Sequence, residues 1–173
     1  MYDELNMNSN YNTYPIFNNR SEKQPEKVFS ESLANALELI RESVMSEKED
    51  ELFYDYLLKI ATSEEDKNII ESIRNDERNH NKMFRQIYFE LTGIILPKFE
   101  DEEYKISNLS YSQALEKALM GELSAIERYR IILGEMLDRK HYNMMMEIMT
   151  DELKHASKYN FLISKNFSSL NRR

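Results

Sequence analysis

The chain holds three histidines and no cysteine, and two of the histidines close the same four-residue pattern: Glu77-x-x-His80 and Glu152-x-x-His155. On a helix, residues i and i+3 share a face, so each pattern sets a carboxylate beside an imidazole. A further glutamate stands 30 residues upstream of each, Glu47 before Glu77 and Glu122 before Glu152. The two sets repeat at a constant offset of 75 residues, which also matches Asp76 with Asp151, Tyr54 with Tyr129 and Leu58 with Leu133. Four carboxylates and two imidazoles make a donor set for two divalent cations, with four negative charges to neutralise them. Carboxylate oxygens suit hard ions and imidazole adds borderline character, so the set favours iron or manganese, with zinc able to enter. A single Glu-x-x-His arises often by chance. Two copies, each with a glutamate at the same upstream distance, are a far more specific signal.

These residues must be positioned by helices. Glycine and proline number three each, and the plentiful Glu, Leu, Met and Lys are good helix formers. From Phe29 a seam of three- and four-residue spacings runs through Leu33, Leu37, Ile40, Val44, Glu47, Glu51, Tyr54, Leu58 and Ala61, which marks one helical face. Ser63 reads as the N-cap of a second helix carrying Ile70, Ile73, Glu77, His80, Phe84, Ile87 and Leu91, and Gly93 as its end. A third seam carries Leu115, Leu119, Glu122, Ile126, Tyr129, Leu133 and Met136. A fourth, capped by Asp138, carries Met145, Ile148, Glu152, His155, Tyr159 and Leu162. The short connections predict hairpins, and residues 94 to 110 predict one long crossover between the second and third helices. The expected fold is therefore all-α, a four-helix bundle with a single crossover.

The polar residues of interest continue apolar seams, so an exposed, salt-bridged face explains them poorly. A buried ionised carboxylate costs several kcal/mol unless it is paired or binds metal. The upstream glutamate precedes its turn by about as many residues as the Glu-x-x-His follows it. At about 1.5 Å per residue, both groups then meet at one height in the bundle. Glu51 also lies on the first seam, with Ile126 at the matching position, and reads as a residue behind the ligands or the partner of a base. His141 belongs to no such pattern and reads as a surface residue.

Asp76-Glu77-Arg78-Asn79-His80 and Asp151-Glu152-Leu153-Lys154-His155 resemble the paired motifs of the ferritin-like di-iron proteins, bacterioferritin and rubrerythrin in particular, over roughly residues 30 to 165. The resemblance implies a ferritin-like bundle holding two iron ions per chain. Glu77 and Glu152 would bridge them, Glu47 and Glu122 would be terminal carboxylates, and His80 and His155 terminal nitrogen ligands. Asp76 and Asp151 look like the acids that orient a ligating histidine from behind. Tyr54 and Tyr129, seven residues after the terminal glutamates, would hydrogen-bond a carboxylate ligand or donate an electron, although packing alone would also account for them. Two departures stand out. Rubrerythrin has another glutamate where this chain has Ala125, and its rubredoxin-like domain has no counterpart in a chain without cysteine.

The implied activity is oxidation of Fe(II) by peroxide or oxygen, as a ferroxidase or peroxidase-type oxidoreductase in iron handling or detoxification. The alternatives are an iron-storage or shell subunit, a cargo protein of an encapsulin-type shell, and a structural bundle locked by metal. A homo-oligomer is expected by resemblance. The net charge of -8 opposes nucleic-acid binding, which needs a basic patch. No apolar run approaches the ~20 residues of a membrane span, and no signal peptide is visible at Met1-Tyr2-Asp3-Glu4, so the expected location is cytoplasmic. Residues 1–27, rich in Asn, Ser and Tyr, read as a flexible tail, 28–166 as the bundle, and 167–173 as a frayed end.

Overall fold

The structure, a computed structural model, describes residues 29–97 and 108–170, and the side chains of residues 47–49, 169 and 170 lie outside the described ones. The expected N-terminal tail, the middle of the expected crossover and the last three residues also fall outside them. Five α-helices are present among the described residues: α1 (Glu31–Met45), α2 (Glu47–Ile60), α3 (Glu64–Thr92), α4 (Tyr111–Gly134) and α5 (Arg139–Leu170).

Their starts are set by side chains that satisfy the unpaired N–H groups of a first turn. Ser30 accepts from Leu33 N and Ser63 from Asp66 N. Ser110 and Gln113 cap each other reciprocally at α4. Asp138 Oδ1 accepts from the amides of Lys140 and His141 at α5. Gly93, in the left-handed region at φ 77°, ends α3. The helix expected to fray after Asn166 continues to Leu170.

The first expected helix is two. Ser46 divides α1 from α2, yet it keeps helical dihedrals and its N–H still bonds Glu42 O. The Ser43 hydroxyl donates to Leu39 O at 2.8 Å and that of Ser46 to Ser43 O at 3.2 Å. Such back-bonding competes with the backbone ladder and bends helices. Beyond this point the fully buried residue is Leu57, with Leu58 only half-buried, one position off the expected seam.

Contacts between α3 and α5 run in antiparallel register along their whole length. Asp66 meets Lys165, Ser72 meets Lys158, Asp76 meets His155, His80 meets Asp151 and Glu90 meets His141. Arg74–Asp55 and Arg78–Glu51 fix α2 antiparallel to α3 in the same way. The apolar interior falls into two clusters. One gathers around Ile40, Phe84, Ile132 and Ile148, and the other around Leu57, Ile70, Leu115 and Leu162. The glutamates and histidines of the repeated pattern belong to neither cluster. No helix among the described residues is long and apolar enough to cross a membrane.

Candidate metal centre

Four side chains of the repeated pattern, Glu77, Glu122, Glu152 and His155, each offer a ligand atom within 4.8 Å of the others. They come from α3, α4 and α5. His155 is fully buried, Glu152 is 1% exposed and Glu122 5%. Glu77 Oε1 lies 3.0 Å from His155 Nδ1, while Glu77 Oε2 lies 3.3 Å from His80 Nδ1. Glu152 spans the same two rings, with Oε1 3.3 Å from His80 Nδ1 and Oε2 3.9 Å from His155 Nδ1. Glu122 Oε2 stands 3.8 Å from His155 Nδ1. The imidazoles lie with centroids 5.7 Å apart.

The far nitrogens of both rings are engaged, and the pairing crosses between halves. His80 Nε2 lies 3.3 Å from Asp151 Oδ2, and His155 Nε2 lies 3.1 Å from Asp76 Oδ2. Each aspartate thus orients the histidine of the other motif and leaves that ring's Nδ1 facing the carboxylates. The Tyr54 hydroxyl donates to Glu122 Oε1 at 3.3 Å. Tyr129 is buried with its ring against Phe84 and under the Arg128 guanidinium, at 5.0 and 5.9 Å.

Glu47 belongs to α2, but its side chain lies outside the described ones. Glu51 does not join the cluster. Its carboxylate accepts from the Arg78 guanidinium, so of its two expected roles the structure supports pairing with a base. His141, expected at the surface, is buried, and its Nε2 lies 2.7 Å from Glu90 Oε2. Its place one turn into α5, over the end of α3, covers it. Tyr159 escaped the sequence reading as more than an apolar seam residue. It is fully buried, and its hydroxyl has no hydrogen-bond partner. Its position seven residues after Glu152, the spacing that separates Tyr54 from Glu47, was the available signal.

The electrostatics follow from crowding acids in a buried layer. Burial opposes charge on both histidines, yet the carboxylates overcome it. The neighbouring carboxylates of Glu152 and Glu77 raise His80 to about 10, and those of Glu122, Glu152 and Glu77 raise His155 to about 12. Burial and the neighbouring Glu152 push the Glu122 carboxyl well above the usual range. Glu152 is held below its usual value despite burial, by hydrogen bonds from Glu122 and the two histidines. Asp151 is likewise lowered against its burial, by Lys154 and His80.

Glu77 Oε1, Glu152 Oε1 and His155 Nδ1 are buried without a hydrogen-bond partner. Buried polar atoms are rarely left so, and all three are good ligand atoms beside one another. The cluster of Glu77, Glu122, Glu152 and His155 could hold a metal ion, which would satisfy the orphaned atoms. Comparison with known families and with curated proteins finds no family model and no curated protein that matches the chain.

Proposed function

We propose that this chain is a ferritin-like di-iron carboxylate protein that oxidises Fe(II) with peroxide or oxygen. In this reading α1 and α2 together form the first helix of a four-helix bundle, and residues 94–110 carry the crossover to α4. The observation that carries the proposal is the double span: Glu77 and Glu152 each direct one oxygen toward His80 Nδ1 and the other toward His155 Nδ1. Two carboxylates shared between two imidazoles would suit two adjacent cation sites, which supports this reading.

Glu77 and Glu152 would bridge, His80 and His155 would ligate through Nδ1, and Glu122 and Glu47 would close the two ends. The oxygen-rich, thiolate-free donor set favours iron or manganese. When bound, two such ions supply two one-electron oxidations at neighbouring positions. Around them the chain's own residues do three things. Asp76 and Asp151 fix the ring orientation and tautomer of the histidines. Tyr54 holds Glu122 by its Oε1. The two apolar clusters flank the layer on either side.

Anaerobic titration with Fe(II), followed by elemental analysis, tests the reading. Two ions per chain are expected in the wild type, with most of the binding lost in Glu77→Ala and Glu152→Ala. Retained helicity with no bound metal in the wild type would refute the proposal. Adding oxygen or peroxide to the loaded protein then separates an oxidising centre, in which the iron is oxidised, from a purely structural metal lock, in which it is not.

A further inference from the structure

Glu122 and Glu152 meet inside the bundle at one height, and the residue after each is an exposed leucine. One step along a helix turns a side chain by about 100°. Leu123 and Leu153 therefore stand behind the carboxylate layer, on the outer wall that α4 and α5 share. Tyr142 and Met146 precede Leu153 on the same face of α5, and Met120 and Ile131 extend the stripe along the edge of α4. These six side chains are 37% to 61% exposed. Together they present on the order of 500 Å² of apolar surface, at the upper end for the largest patch of a monomer. A standard interface buries about 800 Å² per partner, roughly 60% of it non-polar, so the stripe is large enough to form the apolar part of one.

The charges around the stripe are balanced. Glu127, between Leu123 and Ile131, pairs with Arg130 at 2.7 Å, Lys154 pairs with Asp151, and the Arg139 guanidinium lies over the Tyr142 ring. From Tyr111 to Leu170 the chain carries eight Lys and Arg against eight Asp and Glu, whereas α1 to α3 carry eight against fifteen. The acidity of the molecule is thus kept off the α4–α5 hairpin. A nucleic acid or an anionic membrane would select a basic face, which this is not. A second copy needs only an apolar, neutral one, and meeting there it keeps the acidic α1–α3 side of each chain away from the other.

We propose that the α4–α5 wall is a self-association surface, on which two copies of the chain pack hairpin against hairpin about a two-fold axis. Such an interface is isologous, the same patch serving on both sides, and a neutral apolar stripe is complementary to itself. Leu123 and Leu153 lie at its centre, where side chains contribute most to association. The proposal stands apart from the metal-centre reading, since none of the six side chains is a ligand there.

Sedimentation velocity of the full chain at micromolar concentration, without added metal, tests it. The wild type should sediment as a dimer, and so should Phe89→Glu, which alters an exposed aromatic on α3. Leu123→Glu and Leu153→Glu should sediment as monomers of unchanged helicity, with dissociation constants raised about a hundredfold or more. A second measurement leaves every apolar residue in place. Ser157→Cys puts a lone thiol on the same wall of a cysteine-free chain, and Lys82→Cys puts one on α3. With a nitroxide on each, the label-to-label distance across the dimer should be shorter at position 157 than at position 82. A monomeric wild type would overturn the proposal and leave the wall to a different partner. A dimer that survives both leucine variants, or a shorter distance at position 82, would overturn it by placing the contact elsewhere.

Discussion

Asp76 and Asp151 each lie against the Nε2 of the opposite motif's histidine, whose Nδ1 faces the cluster. Replacing either with Asn keeps the shape but removes the negative charge behind the ring. Metal affinity should fall by about 10- to 100-fold, measured by competition with a chelator, while helicity stays constant. The histidines themselves yield a pH prediction. In the metal-free protein His80 and His155 titrate near 10 and 12, above the ~6.5 of an unfolded chain. Protonation of the folded state therefore contributes stability that is full below about pH 6.5 and is lost as pH rises through the folded values. Metal binding must displace these protons. Affinity should rise with pH between about 6.5 and 10, and at pH 7 about three protons per chain should be released, one from each histidine and one from the Glu122–Glu152 pair. Calorimetry in buffers of different ionisation enthalpy reads that number, and zero release would contradict ligation by both rings.

At the level of elements, Asp66 ties three helices together. Its buried carboxylate accepts from Ser63 at 2.6 Å, Thr62 at 3.0 Å, Tyr111 at 2.9 Å and Lys165 at 2.6 Å. It thereby joins the start of α3, the start of α4 and the end of α5. Burial raises its pKa, but hydrogen bonds from Lys165, Ser63, Tyr111 and Thr62 win and lower it. A depressed carboxylate contributes stability above its unfolded value, near 3.8, and loses it as pH falls through the lower folded value. Asp66→Asn should cost about 2 kcal/mol at pH 7, and the two proteins should converge in acid. Urea denaturation at pH 7 and pH 2.5 would show it. An equal difference at both values would mean that the charge of Asp66 is not what matters.

For the whole molecule, the polar layer between two apolar clusters makes stability depend on what fills the layer. Without metal, three described carboxylates crowd one buried region and some must take up protons. A ligand that binds only the native state stabilises by RT ln(1 + [L]/Kd), about 2.7 kcal/mol at a hundredfold excess over Kd. Metal should therefore raise the melting temperature by several degrees. Glu152→Ala should lose most of that gain, whereas Glu64→Ala, on the exposed first turn of α3, should keep it. Equal gains in both variants would place metal binding elsewhere.

The helices, their caps at Ser63 and Asp138 and the end of α3 at Gly93 were legible in the amino-acid order, because capping and 3.6-residue periodicity are local properties of the chain. So was the list of polar residues on the seams, since a charged residue on an apolar stripe needs no neighbour to stand out. The break at Ser46 was not, because the three- and four-residue spacing runs through it and serines elsewhere make the same bonds to preceding carbonyls inside unbroken helices. Glu51 illustrates the limit at the site. Its seam position allowed two partners, and only the packing of α2 on α3 brought Arg78 within reach. The partner of His141 depended in the same way on the α3–α5 register, which sets Glu90 beside it. That register also crosses the aspartates to the histidines of the opposite motif, and no spacing along one chain segment could have specified it. Residue order determines which groups share a helical face; which faces meet, and at what height, is decided by burial of the two apolar clusters on either side.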